Sequence, residues 1–222
     1  MKGWCIATPS SRFVAKMEDV LSVYHRPYDA ARPVVCVDEA SKELHGTPRG
    51  SLPAGPGQPV RVDYEYERHG RRNIFLAVEP LAGRRHLRVT ERRTSCDFAK
   101  FLQFLVEEAY AEAEVVVLVT DNLNTHGLAC LYECFDPEHA LRIAQRIEWH
   151  YTPEHGSWLN MAEIELSILS RQCLKRRIDD PVVLEREAIA WQQTRNQANA
   201  KIDWQFTAAD ARVKLKRLYP KL

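Results

Sequence analysis

The stretch Val115-Val-Val-Leu-Val-Thr-Asp-Asn-Leu-Asn-Thr-His126 decides the fold, because it predicts a buried strand that ends on a carboxylate. Its unbroken apolar run is typical of a strand inside a sheet that helices cover on both faces. The stretch Pro33-Val-Val-Cys-Val-Asp-Glu39 repeats this pattern. We therefore predict strands over 115–120 and 33–38. Since neighbouring strand ends lie close together in an open sheet, we expect Asp121 and Asp38 to meet there.

The rest of the chain predicts a mixed α/β architecture. A Gly- and Pro-rich stretch at 47–59 favours a loop, and His69-Gly-Arg-Arg72 favours a hairpin turn. Further strands are predicted at 60–68, 73–79, 86–90 and 146–151. Helices are predicted at 11–24, 95–110 with Ser95 as N-cap, 124–145 with a break at Asp136-Pro137, from Trp158 to about 174, 181–196 and 207–218. This order indicates a mixed sheet with helices on its faces.

Size and composition indicate an ordinary globular protein. The chain has 222 residues, 45% of them hydrophobic and 27% charged. No apolar run approaches the roughly 20 residues needed to cross a bilayer. The N-terminus lacks the apolar centre of a signal peptide, so we expect a cytoplasmic protein without membrane contact.

Charge and cysteine content narrow the choice of partners. Net charge is only +1, but basic residues concentrate in 84–93, in 171–177 and in the last dozen residues. Such stripes suit a nucleic-acid path beside an acidic site, although solvated helix and strand faces explain them equally well. None of the six cysteines forms a CxxC pair, which argues against a zinc knuckle and favours free thiols in a reducing compartment.

A third carboxylate lies in Tyr151-Thr-Pro-Glu-His-Gly-Ser-Trp-Leu-Asn-Met-Ala-Glu163, a turn-rich loop that leads into a helix. Successive side chains of a helix are about 100° apart around its axis. On this basis the apolar side chains occupy most of the circumference of that helix, and Glu163 lies in the remaining polar arc. Glu165 lies among the apolar residues and is expected to be structural or supporting. The alternative for Glu163 is an ordinary first-turn acid that the helix dipole favours.

Three carboxylates without His or Cys ligands select hard cations. Mg²⁺ or Mn²⁺ prefers oxygen donors and keeps coordination sites for water and phosphate oxygens. Two such ions can activate a hydroxyl and stabilise the leaving oxygen of a phosphodiester. Asp38, Asp121 and Glu163 are therefore candidates to hold a pair of divalent ions.

Three motifs together carry a resemblance to a known family. They are Val-Cys-Val-Asp-Glu, Thr-Asp-Asn-Leu-Asn-Thr-His, and His-Tyr-Thr-Pro-Glu-His-Gly-Ser-Trp-Leu-Asn-Met-Ala-Glu-Ile-Glu. The chain, from about Trp4 to Tyr219, resembles the mariner-type superfamily of transposases, and within it the bacterial insertion-sequence branch. The resemblance implies a ribonuclease H-like fold. It also implies an Asp–Asp–Glu triad that binds Mg²⁺ or Mn²⁺, as two ions.

The resemblance places Asp38, Asp121 and Glu163 on the catalytic and metal-binding triad. It implies hydrolysis at transposon ends, attack of the freed 3′ hydroxyl on target DNA, and a homodimer in a synaptic complex. A protein with this activity is expected to associate with the nucleoid when it is bound to DNA. The residues around the triad become candidates to support it or to contact DNA, with purely structural roles as the alternative. They are Glu39, Asn122, Asn124, His126, His155, Trp158 and Asn160.

The resemblance also implies a domain plan. Residues 1–30 are expected to be a linker helix, 31–200 the ribonuclease H-like domain, and 201–222 a basic C-terminal helix that contacts DNA phosphates. Family members normally carry helix-turn-helix modules before this domain, and the chain is expected to begin inside the linker that follows them. One alternative is therefore a non-catalytic relic or regulator that binds DNA or a full-length transposase. A nuclease of the same fold that cuts RNA–DNA hybrids ranks lower.

Overall fold

A computed structural model describes residues 10–121 and 126–220. The first half contains α1 (Ser11–Tyr24), β1 (Val34–Gly46), β2 (Ser51–Leu52), β3 (Arg61–Val62), β4 (Glu67–Glu79), β5 (Arg84–Thr90) and α2 (Ser95–Phe104). The second half contains β6 (Val116–Thr120), α3 (Ala129–Cys134), α4 (Pro137–Gln145), β7 (Ile147–Tyr151), α5 (Met161–Leu169), α6 (Pro181–Gln197) and α7 (Ala208–Lys214). Short π-helical turns extend α2 and α5, at Leu105–Ala109 and Ser170–Leu174.

Five strands form one mixed sheet in the order β5-β4-β1-β6-β7. Strand β4 pairs antiparallel with both β1 and β5. Strand β6 pairs parallel with both β1 and β7. Helices α2, α3 and α4 supply the apolar core on one face of the sheet. Helices α1, α5 and α6 and the C-terminal segment cover the other face. The predicted mixed sheet with flanking helices is thereby confirmed.

Strand β1 is longer than predicted. Its parallel pairing with β6 ends at Cys36 and Val119, but its antiparallel pairing with β4 continues to Gly46. Asp38 therefore lies inside the strand, just beyond the parallel pairs, and not at the strand's end. Beyond Cys36 the strand has one partner, so polar residues can alternate with buried ones.

The predicted hairpin turn at 69–72 is wrong, because β4 runs through it without reversing. Glu43 pairs with Arg71 and His45 with Arg68, so β4 has one extra residue at this point. Gly70 has φ +92, which only glycine adopts easily. The glycine thus marks a β-bulge that bends the strand, and the chain reverses instead between β1 and β4.

The outer edge of β5 is paired with side chains of α6. Gln192 Oε1 accepts a hydrogen bond from the Leu87 N–H at 2.7 Å. The Asn196 amide accepts from the Arg85 N–H at 2.8 Å and donates to the Arg85 carbonyl at 2.9 Å. These bonds satisfy backbone groups of an edge strand that could otherwise pair with a strand of another chain.

Other boundaries differ only in detail. Thr94, not Ser95, caps α2, through a capping box with Asp97. The break at Asp136-Pro137 is confirmed, and α7 ends at Lys214 before a short 3₁₀ turn. Five of the six cysteines are described, and all five are free thiols. Among the helices of the described chain, none is long and apolar enough to cross a membrane.

Candidate active site

The parallel strands bring two aspartates to one edge of the sheet. Cys36 on β1 pairs with Val119 on β6, and Asp38 and Asp121 each follow that pair by two residues. Since side chains alternate between faces, Asp38 lies on the face that α5 covers, and Asp121 follows the end of β6 directly. This register explains how two residues so far apart in sequence come together.

Glu163 reaches the same place from the first turn of α5. Met161 and Ala162 pack into the core below it, while Glu163 itself is exposed. Partial burial of its carboxyl and the charge of Asp121 raise the pKa of Glu163, and a hydrogen bond with Ser157 opposes that rise. Glu163 lies three residues beyond Asn160, whose side chain contacts Asp38.

Asn160 joins α5 to the sheet at this point. Its side chain is fully buried, and its oxygen caps α5 by accepting from the Ala162 N–H at 3.1 Å. Its amide donates to the Val37 carbonyl at 2.9 Å and to Asp38 Oδ2 at 3.4 Å. One side chain thus fixes the start of α5 and contacts the first carboxylate.

His126 joins the second carboxylate to Glu39. Its Nδ1 makes a short hydrogen bond with Asp121, and its Nε2 lies 3.1 Å from Glu39 Oε2. That second contact has ion-pair distance but not good hydrogen-bond geometry. Burial lowers the pKa of His126, but the contacts with the two carboxylates outweigh burial and raise it to about 9. The imidazole is therefore a cation that faces two acids at neutral pH.

The first carboxylate has an unusual charge environment. Burial raises the pKa of Asp38, and a hydrogen bond from the Glu39 N–H opposes the rise. The charges of Glu163 and Asp121 add to the effect of burial, so that the pKa reaches about 7. A cation at this point would relieve the repulsion between these acids. All three donors are carboxylate oxygens, so the site fits a hard divalent ion.

The site is not already closed around an ion. Within 10–121 and 126–220, no three His, Cys, Asp or Glu side chains stand in metal-ligating geometry. The carboxylate of Asp121 points to His126. Metal binding therefore requires rotation of side chains, with the backbone framework already in place.

The remaining candidate residues lie in different surroundings. Trp158 and His155 are exposed, and the contact of His155 is with its neighbour Glu154, at 3.9 Å. Asn122 and Asn124 lie outside the described residues. Glu165, expected to be supporting, is fully buried in a bidentate ion pair with Arg85 at 2.8 and 2.9 Å.

Three residues at the site had not been singled out from sequence. Ser157 hydrogen-bonds Glu163, and Arg93 pairs with Glu39 at 3.4 Å. The ring of Phe98 lies 4.2 Å from that of His126. Only Arg93 carried a signal, as a member of the basic stripe 84–93.

A mixed five-stranded sheet with carboxylates at the edge where β1 and β6 diverge defines a ribonuclease H-like α/β domain. Residues 33–184 match the model of the family described as DDE superfamily endonuclease. This match covers more than half of the chain, which therefore belongs to that family. A comparison with curated proteins finds no match.

Solved structures of the Mos1 transposase share the fold. The Mos1 strand transfer complex has a TM-score of 0.57 and 14% identity, over 90% of this chain and 62% of the Mos1 chain. The Mos1 paired-end complex with the left transposon end has a TM-score of 0.51 and 13% identity, over 92% of this chain and 68% of that one. The chain thus spans about two thirds of the Mos1 length, and at this identity the likeness establishes the fold alone.

Proposed function

We propose that this chain carries the catalytic domain of a transposase, which cleaves DNA phosphodiesters and transfers the freed 3′ end to target DNA. The observation that supports the proposal best is the register of β1 and β6, which sets Asp38 and Asp121 two residues beyond the same strand pair, where Asn160 at the start of α5 contacts Asp38. Membership of the DDE superfamily endonucleases supports the cleavage step. The shared fold with Mos1, solved as a strand transfer complex, supports the transfer step.

In this proposal the three carboxylates hold two Mg²⁺ or Mn²⁺ ions. When bound, the ions activate the attacking hydroxyl and stabilise the leaving oxygen. Asn160 fixes Asp38 through its amide, and Ser157 orients Glu163. His126 balances the charge of Asp121 and Glu39. The protein thus contributes three oxygen donors, and Asn160 joins the strand of the first to the helix of the third.

The proposed DNA partner matches only part of the basic surface. Arg85 is fully buried against Glu165, and Arg177 donates to backbone carbonyls of residues 63–65. These two arginines stabilise the fold and are not available to phosphate. Arg93, beside Glu39, and the exposed Lys216 and Arg217 remain candidates to contact the DNA backbone.

Assembly and domain limits are part of the same proposal. Residues 31–200 form the catalytic domain in this plan, with 1–30 as a linker and 201–222 as a basic extension. Two copies would hold two DNA ends in a synaptic homodimer. The C-terminal segment packs on α1, since Arg212 pairs with Glu18 at 2.8 Å and Tyr24 contacts the ring of Trp204. We therefore expect the extension to fold together with the catalytic domain.

Metal-dependent nicking of duplex DNA tests the proposal. The wild type is expected to nick with Mn²⁺ or Mg²⁺ and not in EDTA, and Asp121→Asn is expected to lose nicking by at least about 100-fold, because a metal ligand is missing. Asp203→Asn serves as the matched control, since Asp203 is exposed beside Leu81 at the far end of the sheet. Equal nicking by wild type and Asp121→Asn would overturn the proposal. Cutting of an RNA–DNA hybrid but not of duplex DNA would favour a hybrid nuclease.

A further inference from the structure

We propose that Trp158 forms a stacking site for an unpaired nucleobase of the DNA strand that is cut, next to the scissile phosphate. The inference rests on the proposed function for the position of that phosphate. It adds a DNA-recognition site that reads the unpaired state of a nucleotide. Trp158 is 46% exposed, although Trp side chains are on average highly buried.

The position of Trp158 follows from its neighbours in the turn Ser157–Leu159. Ser157 on one side hydrogen-bonds Glu163, and Asn160 on the other side contacts Asp38. The indole therefore projects from a segment whose flanking residues touch two of the three proposed metal ligands. A nucleotide stacked on it would therefore lie beside the segment that contacts the proposed metal ligands.

The turn is held rigidly. The Leu159 N–H donates to the Gly156 carbonyl at 2.9 Å and the Asn160 N–H to the Ser157 carbonyl at 2.7 Å. Tyr24 Oη donates to the Leu159 carbonyl at 2.7 Å from the buried side. A preformed platform loses little entropy when a base binds, so these bonds favour recognition.

One side of the indole is supported from within the protein. Phe206 meets it edge to face, with ring centroids 6.1 Å apart and an angle of 69°. Lys214 lies 5.4 Å from the Phe206 ring centre, and its ammonium also pairs with Asp210 at 3.3 Å. Ile164, next to Glu163, adds a second exposed apolar side chain on α5.

A nucleobase fits this combination better than an apolar protein segment does. The proposed phosphate site lies beside the turn that carries Trp158, and every base has an aromatic face that can stack. A base inside an intact duplex has no free face, so the partner must be unpaired or turned out of the helix. The recognised feature is therefore a melted or overhanging nucleotide, independent of its sequence.

Direct binding tests the inference without cleavage. Two duplex oligonucleotides of equal length are compared in Ca²⁺, one blunt and one with a short single-stranded overhang that carries 2-aminopurine. The wild type is expected to prefer the overhang by about 5- to 150-fold and to quench the 2-aminopurine fluorescence, as for one stacked base. Trp158→Leu is expected to lose both the preference and the quenching, while Trp158→Phe keeps most of them.

The binding experiment tests the stacking site separately from the nicking activity of the proposed function. If Trp158→Leu keeps the overhang preference of the wild type, the stacking site is wrong, whatever the nicking assay shows. If an abasic overhang is bound as tightly as the normal overhang by the wild type, the stacking site is wrong as well. Loss of the preference in Trp158→Leu and on the abasic DNA supports it, even where nicking fails. Circular dichroism and Mn²⁺ titration of Trp158→Leu must match the wild type, which shows that the variant folds and that its carboxylates are intact.

Discussion

Glu163 and Glu165 are two residues apart on α5 and have opposite surroundings. Glu163 is exposed towards the sheet aspartates, whereas Glu165 is fully buried between Arg85 and Arg195. Arg85 also donates to the carbonyls of Gly83 and Ala200. Because both charges are out of water, each depends on the other for stability.

Glu165→Gln is expected to lower the free energy of unfolding by about 3–5 kcal/mol, since it leaves the Arg85 charge buried without a counter-charge. Urea denaturation at pH 7 measures the change. The control is Glu185→Gln, an exposed glutamate on α6, expected to change stability by less than about 0.5 kcal/mol. A cost for Glu165→Gln no larger than that of the control would contradict this account.

Sequence reasoning was most effective for single residues within regular elements. The helical period separated Glu163 from Glu165, and the apolar runs before Asp38 and Asp121 indicated a shared edge. The contacts of Arg93 and Phe98 were not predictable in this way. They join residues far apart in the chain, and their pairing follows from the packing of α2 against the sheet.

At the scale of elements, Glu148 on β7 ties the end of α1 to the sheet. Its carboxylate pairs with Arg26 at 2.7 Å and also with Arg32. His150 lies between this carboxylate, at 2.9 Å, and Asp19 on α1, at 2.7 Å. Burial raises the pKa of Glu148, but hydrogen bonds from Arg26 and His150 outweigh it and lower the pKa to about 2.

The pH dependence of stability tests this network. A carboxyl whose pKa falls on folding contributes stability above its unfolded pKa of about 4.3, and this contribution is lost as the pH falls towards 2. Glu148→Gln is therefore expected to lower the free energy of unfolding by at most about 3 kcal/mol at pH 7, and by less once solvent screening is counted. This gap between variant and wild type is expected to close between about pH 4.3 and 2. Urea unfolding at several pH values measures the gap. Glu138→Gln, with a side chain 87% exposed, should show no such closing, and a gap for Glu148→Gln that stays constant to pH 3 would contradict the assignment.

Gly156 sets the geometry of the turn before α5. A Cβ on this residue would lie 2.5 Å from Pro153 Cγ and 2.9 Å from the Pro153 carbonyl oxygen. Gly156→Ala is therefore expected to cost about 1–3 kcal/mol and to reduce nicking, because Ser157 and Asn160 would shift. Thermal unfolding and the nicking assay measure both effects. Gly55→Ala, where a Cβ meets nothing within 4 Å, is the control, and identical behaviour of the two variants would refute the steric argument.

Helices and strands are predictable where one local sequence pattern favours one structure. Errors arise where the same pattern fits two structures, such as a turn and a β-bulge. The predicted bounds of β6, β7 and α6 agree with the structure to within one residue at each end. Gly70 indicated a turn, but a β-bulge needs the same positive φ, and only the pairing of β1 with β4 decides between them. The polar residues after Asp38 likewise concealed the second half of β1, because a strand with one partner need not be apolar.

At the scale of the whole molecule, charge is nearly balanced overall and unevenly distributed. The C-terminal region shows this, since its basic residues have different roles. Arg212 makes two hydrogen bonds with Glu18 on α1, at 2.9 and 2.8 Å, so its charge is used within the protein. Lys216 and Arg217 are exposed beyond the end of α7. Of these three residues, Lys216 and Arg217 are therefore expected to bind phosphate.

The salt dependence of DNA affinity distinguishes these roles. Each neutralised phosphate contributes about 0.9 to the slope of log affinity against log salt concentration on duplex DNA. The double variant Lys216→Gln/Arg217→Gln is expected to reduce the slope by about 1–2 without changing thermal stability. Arg212→Gln is expected to keep the slope and lower thermal stability, because it loosens α7 from α1. Lys201→Gln, at the far end of the sheet, should change neither quantity.

An unchanged slope in the double variant would mean that the DNA follows another surface, and Arg93 beside Glu39 would then be the next residue to substitute.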